Sequence, residues 1–114
     1  MRLAQVVLFA ADVPRLRDFY RDQLGLAVLS DEPGFLRLDA GGAVLALHAL
    51  PGETDGRERL DSYHKLCFHA DDVEAERARL IAAGIKMRDV VRFGAVTLCD
   101  GVDPEGNVFQ ITTR

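Results

Sequence analysis

Apolar and polar positions along this chain follow an order that is written twice. Residues 3–10, Leu-Ala-Gln-Val-Val-Leu-Phe-Ala, make a β-rich apolar run that stops at Asp12. Leu16, Phe19, Tyr20 and Leu24 then recur at helical spacing, with Asp12 placed to cap a helix, Pro14 in its first turn and Gly25 at its end. About sixty positions later the same grammar returns. It predicts a strand at 65–68, a cap at Asp71 or Asp72, a helix with Val73, Ala78, Leu80 and Ile81 as its apolar positions, and a stop at Gly84. A repeat of this period means that matching positions of the two halves can be compared with each other.

After each helix the pattern predicts three short strands. In the first half they fall at 27–30, 35–39 and 43–49, punctuated by Pro33-Gly34 and Gly41-Gly42. In the second half they fall at 86–91, 95–99 and 108–112. Asp103-Pro104-Glu105-Gly106-Asn107 joins the last two, and Pro second with Gly fourth describes a type I turn closing a hairpin. The segment 51–63, rich in Gly, Glu, Asp and Arg, reads as an exposed linker. The organisation predicted is one domain over 1–114, with module one at 1–50, a linker at 51–63 and module two at 64–114.

Each half thus reads strand, helix, strand, strand, strand, which favours a mixed sheet with a helix on one face and hence an α+β fold. A half of about fifty residues buries too little surface to be stable alone, so the two copies are expected to pack together. Alternation along the strands sorts side chains onto two faces. Val6 and Leu8, Leu36 and Leu38, Leu45 and Leu47, Leu66 and Phe68, and Phe109 and Ile111 make an apolar core set. The opposite set is mixed: Gln5, Val7 and Phe9; Arg37 and Asp39; Ala46 and His48; Lys65, Cys67 and His69; Gln110 and Thr112. This second face is expected to line a ligand cavity.

The 114 residues carry a formal net charge of −4, which argues against a general nucleic-acid binder. The two cysteines, Cys67 and Cys99, sit in apolar runs without CxxC spacing, as expected of a reducing cytosol. No apolar run approaches the roughly twenty residues that span a bilayer, and a cytoplasmic location is expected.

Three motifs together resemble the glyoxalase, bleomycin-resistance and extradiol-dioxygenase superfamily, whose fold is called vicinal oxygen chelate. They are Asp12-Val13 with Phe19-Tyr20 and Leu24-Gly25-Leu26, then Phe68-His69-Ala70-Asp71-Asp72-Val73, and then Asp103-Pro104-Glu105-Gly106-Asn107-Val108-Phe109. The resemblance implies two βαβββ modules forming a half-open eight-stranded mixed barrel around a ligand pocket, and a homodimer, with modules paired within a chain or swapped between chains. Enzymes of the family hold a divalent metal with His, Glu or Gln from the first and last strands of each module. By the seven-residue spacing to the helix cap, Gln5 and Lys65 fall at the first-strand positions. By the flanking apolar pairs, Ala46 and Gln110 fall at the last-strand positions. Lysine has no lone pair to give, Ala offers nothing, and two neutral amides hold a divalent cation poorly.

No cofactor is therefore expected. The alternative is an atypical site for Zn, Ni, Mn or Fe built from Gln5, His48, His64 and Gln110. The function expected is metal-independent sequestration of a small organic ligand in the cavity between modules. Its ligand-binding residues would be Gln5, Phe9, Arg37, His48, Lys65, Cys67, His69 and Gln110. The competing reading is a lyase or isomerase acting on a small oxygenated substrate, with Lys65 or His69 as catalytic base.

Overall fold

The computed structural model describes residues 1–50 and 64–114, so the segment read as a linker lies outside the described residues. The chain divides into two compact units, Met1–Thr54 and Asp55–Arg114. In the first, strand β1 (Gln5–Ala10) leads into helix α1 (Val13–Asp18), and β2 (Val28–Glu32), β3 (Phe35–Asp39) and β4 (Val44–Ala49) follow. Asp12 caps α1, its side chain accepting from the Arg15 amide at 3.0 Å. The expected single helix to Leu24 instead widens into a π-helical stretch, Phe19–Gln23. Within it two adjacent rings, Phe19 and Tyr20, are both buried, in edge-to-face contact at 4.9 Å. Gly25 then takes φ +75°, the left-handed conformation that ends the helix.

The sheet runs β1-β4-β3-β2, with β1 parallel to β4 and the other pairs antiparallel. Helix α1 packs on β3 and β4. Leu8, Leu36, Leu38, Leu45 and Leu47, with Leu16, Phe19 and Tyr20 from the helix, form the core, which is the apolar set expected from alternation.

The second unit repeats this plan with β5 (Leu66–His69), α2 (Val73–Ala82), β6 (Lys86–Met87), β7 (Val91–Phe93), β8 (Val96–Val102) and β9 (Val108–Thr112). Its sheet runs β5-β9-β8-β6, β5 being parallel to β9, while β7 pairs with the other end of β8. Asp72, not Asp71, is the cap, accepting from the Ala75 amide at 2.9 Å. The turn Asp103–Gly106 forms as expected, with the Gly106 amide donating to the Asp103 carbonyl at 3.0 Å. The Asp103 carboxylate braces it by accepting from the Glu105 and Asn107 amides at 2.9 and 3.0 Å.

Three local expectations change. The strand expected at 86–91 is broken into β6 and β7, because the register slips by one residue between the Met87/Gly101 and Val91/Leu98 pairs. In the gap the Arg88 carbonyl turns to accept from Arg77 Nε at 2.7 Å and from Cys99 Sγ at 3.1 Å. The strand expected to end at Cys99 continues to Val102, and with the 86–91 strand split in two the described residues hold nine strand segments where eight were expected. Helix α2 buries only Val73 and Leu80, while Ala78 is exposed and Ile81 is 44% exposed. The turn between the two buried residues is occupied by Arg77, half-buried through its bond to β6's end, at the i+4 place between i and i+7.

Gly101 sits where β8 crosses the core. A Cβ there would lie 2.6 Å from Phe109 Cζ and would also meet the Met87 sulfur. Gly101→Ala should therefore lower stability by about 1–3 kcal/mol through overpacking, read as a lower midpoint in chemical denaturation; an unchanged midpoint would contradict this packing.

Candidate functional site

Because α1 covers one face of the first sheet, the other face displays the residues sorted there by alternation. Phe9, His48 and Phe35 are successive cross-strand partners across β1, β4 and β3. The His48 ring meets Phe9 at 5.6 Å and Phe35 at 5.7 Å, both near edge-on. The next row is Val7, Ala46 and Arg37, in which Ala46 is fully buried between longer neighbours, so it lines nothing. Gln5 pairs with Val44, two rows from His48. Four residues of strand separate Gln5 from that row, about 13 Å, so these two members of the alternative metal set are not brought together.

On the second sheet the equivalent face is organised by a residue that alternation did not select. Asp100, in the extension of β8, accepts from Lys65 Nζ at 2.8 Å through one oxygen and from Gln110 Nε2 at 2.9 Å through the other. Arg88 lies 3.5 Å from the same carboxylate. The Cys67 thiol points to the Gln110 amide oxygen at 3.7 Å. Asp100's side chain is only 16% exposed, so its charge is largely withdrawn from water and its cationic neighbours offset that cost. The strand expected to stop at Cys99 left Asp100 outside. The signal that could have found it is parity, since Asp100 must oppose Cys99, which belongs to the core.

The repeat is preserved in the register. Val7 is the partner of Ala46 and Cys67 the partner of Gln110, so Gln5 and Lys65 each stand two residues before the partner of the matching last-strand position. These four residues do not suit a divalent metal. Lys65 brings only donors and a positive charge, Ala46 brings none and is buried, and the Gln110 amide is already engaged with Asp100 and Cys67. Among the described residues no cluster of three or more His, Cys, Asp or Glu side chains could hold a metal ion.

Beside this network lies a concavity of about 560 Å³. Val96, Leu98 and Phe93 give it an apolar wall, and Cys67, His69, Gln110, Thr112 and Arg114 give it polar groups. Phe93 and Arg114 were not among the expected residues. His69 bonds Asp71 Oδ1 through Nε2 at 2.9 Å and the Arg114 carbonyl through Nδ1 at 3.3 Å. Both partners accept, so they favour the doubly protonated ring, and Asp71 first and the carbonyl second push the His69 pKa up. His64 is exposed at the entrance to β5. The buried Cys99 thiol has its pKa raised by burial and takes no part in this face.

Two βαβββ units in one chain, each a mixed sheet with its helix on one face and polar and aromatic groups on the other, define a tandem-module α+β fold. The chain belongs to the glyoxalase/bleomycin resistance protein/dioxygenase superfamily, whose family model matches residues 2–111. No curated protein matches the chain in sequence. Among solved structures it resembles TnmS3, an antibiotic binding protein from Streptomyces sp. CB03234, at 24% identity and TM-score 0.78, covering 97% of this chain and 93% of that one. It also resembles a lactoylglutathione lyase from Agrobacterium tumefaciens at 24% identity and TM-score 0.77, covering 97% and 92%. A bleomycin resistance determinant encoded on the transposon Tn5 matches at 22% identity and TM-score 0.74, covering 100% and 98%. At these identities the likeness is one of fold.

The His69 arrangement has a measurable consequence. By NMR titration the His69 ring should titrate above the ordinary value of about 6.5, and Asp71→Asn should bring it down. Since the charged ring is favoured in the folded state, the contact adds stability below that ordinary value and loses it as pH rises through the folded-state pKa. A His69 pKa unmoved by Asp71→Asn would refute the assignment.

Proposed function

We propose that the protein binds a small organic molecule without the help of a metal, as a sequestering protein, with the concavity of the second unit as part of its site. The observation that carries this reading is the Lys65–Asp100–Gln110 network. It commits both metal positions of that unit to an internal ion pair and an amide hydrogen bond, beside a concavity of about 560 Å³. That volume lies within the range of small-molecule pockets, and an apolar wall with a few polar groups is their usual lining. The fold shared with an antibiotic binding protein and a bleomycin resistance determinant supports the same direction.

The first unit carries the Phe9–His48–Phe35 row and Arg37 on its own sheet. Gln5 is exposed on the same face. Neither catalytic-base role is favoured. Lys65 Nζ is engaged with the Asp100 carboxylate at 2.8 Å, and both ring nitrogens of His69 are taken up by Asp71 and the Arg114 carbonyl, which push its pKa up. We place the protein in the cytoplasm as a homodimer.

Elemental analysis and native mass spectrometry of the purified chain test this reading together. The expected result is a dimer without stoichiometric metal that retains or takes up a small organic molecule, with uptake weakened by Phe93→Ala. One equivalent of a divalent metal per chain, or turnover of a small oxygenated substrate that Lys65→Met abolishes, would overturn it.

A further inference from the structure

The open face of the second sheet carries a row of three cross-strand partners, Cys67 on β5, Gln110 on β9 and Asp100 on β8. Together they present a thiol, an amide oxygen and a carboxylate. Oxygen and sulfur donors of these kinds are acceptable to a borderline divalent ion such as Zn²⁺ or Co²⁺. In the first unit the matching row is Val7, Ala46 and Arg37, which has no such donors. What stands over the second row is the Lys65 ammonium, 2.8 Å from one Asp100 oxygen, while Gln110 Nε2 holds the other at 2.9 Å.

We infer that Lys65 is a resident cation lying over a latent divalent-cation site formed by Asp100, Gln110 and Cys67, and that its charge is what keeps metal out. The inference rests on the metal-independent reading above. An ammonium is a compact positive point charge that donates and cannot ligate. A divalent ion approaching the same carboxylate would meet that charge at close range and would strip Lys65 of its nearest counter-ion. With Lys65 removed, the largely buried Asp100 carboxylate keeps Arg88 as its cationic neighbour, at 3.5 Å and on an exposed side chain, and the Gln110 amide as its hydrogen-bond donor. Gln110 can then turn its amide so that oxygen faces the ion, since its nitrogen's main role is to satisfy Asp100. The exposed Cys67 thiol releases its proton to solvent as its sulfur binds the ion.

Cobalt(II) titration of the full chain, followed by absorption, tests this with the metal itself as probe. The wild type and Lys65→Arg should give no thiolate-to-cobalt band. Lys65→Ala should bind about 10- to 100-fold more tightly than the wild type, the scale on which close neighbours tune metal sites. Its near-ultraviolet thiolate band should vanish in the Lys65→Ala/Cys67→Ser double variant, and binding should be lost when Asp100→Asn is added to Lys65→Ala. If Lys65→Ala does not fold by circular dichroism, Lys65→Gln serves for the same titration. A folded neutral variant that takes no cobalt, or a Lys65→Arg protein that binds as Lys65→Ala does, overturns the inference and leaves the ligand-binding reading standing. A wild type that takes cobalt at Cys67 as tightly as Lys65→Ala overturns both.

Discussion

The parallel pairing of the first and last strands within each unit is the constraint on which the rest depends. Two strands joined by a tight turn cannot pair in parallel, so a crossover connection must intervene; here it holds a helix with β2 and β3 in the first unit and with β6, β7 and β8 in the second, and the helix closes over one sheet face. The pairing of β1 with β4 and of β5 with β9 brings residues some forty positions apart into one row. It also leaves the opposite face uncovered by that helix. The Phe9–His48–Phe35 row and the Lys65–Asp100–Gln110 network stand on these two faces.

The two faces have diverged in chemistry while keeping their register. In the first, the row at Ala46 is closed off by small and long side chains, and its aromatic groups gather one row further along around His48. In the second, a carboxylate on β8 gathers a lysine, an arginine and an amide. An exposed ion pair contributes little to stability, but a carboxylate this far withdrawn from water needs its partners, so the network is a constraint on what else the face can bind. The fold alone would allow metal chemistry or simple binding. The donors present are what narrow the choice.

Much of this was legible in the chain. The repeat located both caps, both helix stops and the turn at Asp103, and alternation sorted the leucines of β3 and β4 onto the core face. It failed where a local rule met a tertiary demand. Asp100-Gly101 has the composition of a turn, yet Gly101 is there because Phe109 and Met87 leave no room for a side chain in the middle of a strand. Arg77 breaks the apolar stripe of α2, yet it faces inward because the Arg88 carbonyl, freed by the slip between β6 and β7, needs a donor. Ile81, apolar and in helical phase, is left outside.

The sequence by itself determined the architecture: two βαβββ units, which face of each strand is core, and the chemical poverty of the four positions where a metal would be held. The units and core faces follow from periodicity, a local property, while the four metal positions follow from the resemblance to the family and their poverty from side-chain type. Only the tertiary structure decided what Lys65 does, because its partner lies 35 residues away on a strand whose end the local pattern misplaces. Likewise the concavity beside it exists only once β5, β8 and β9 lie side by side, and one of the two partners of its histidine is a carbonyl 45 residues away at Arg114. Charge pairing acts through space between strands, and strand register, not residue order, sets which charges meet.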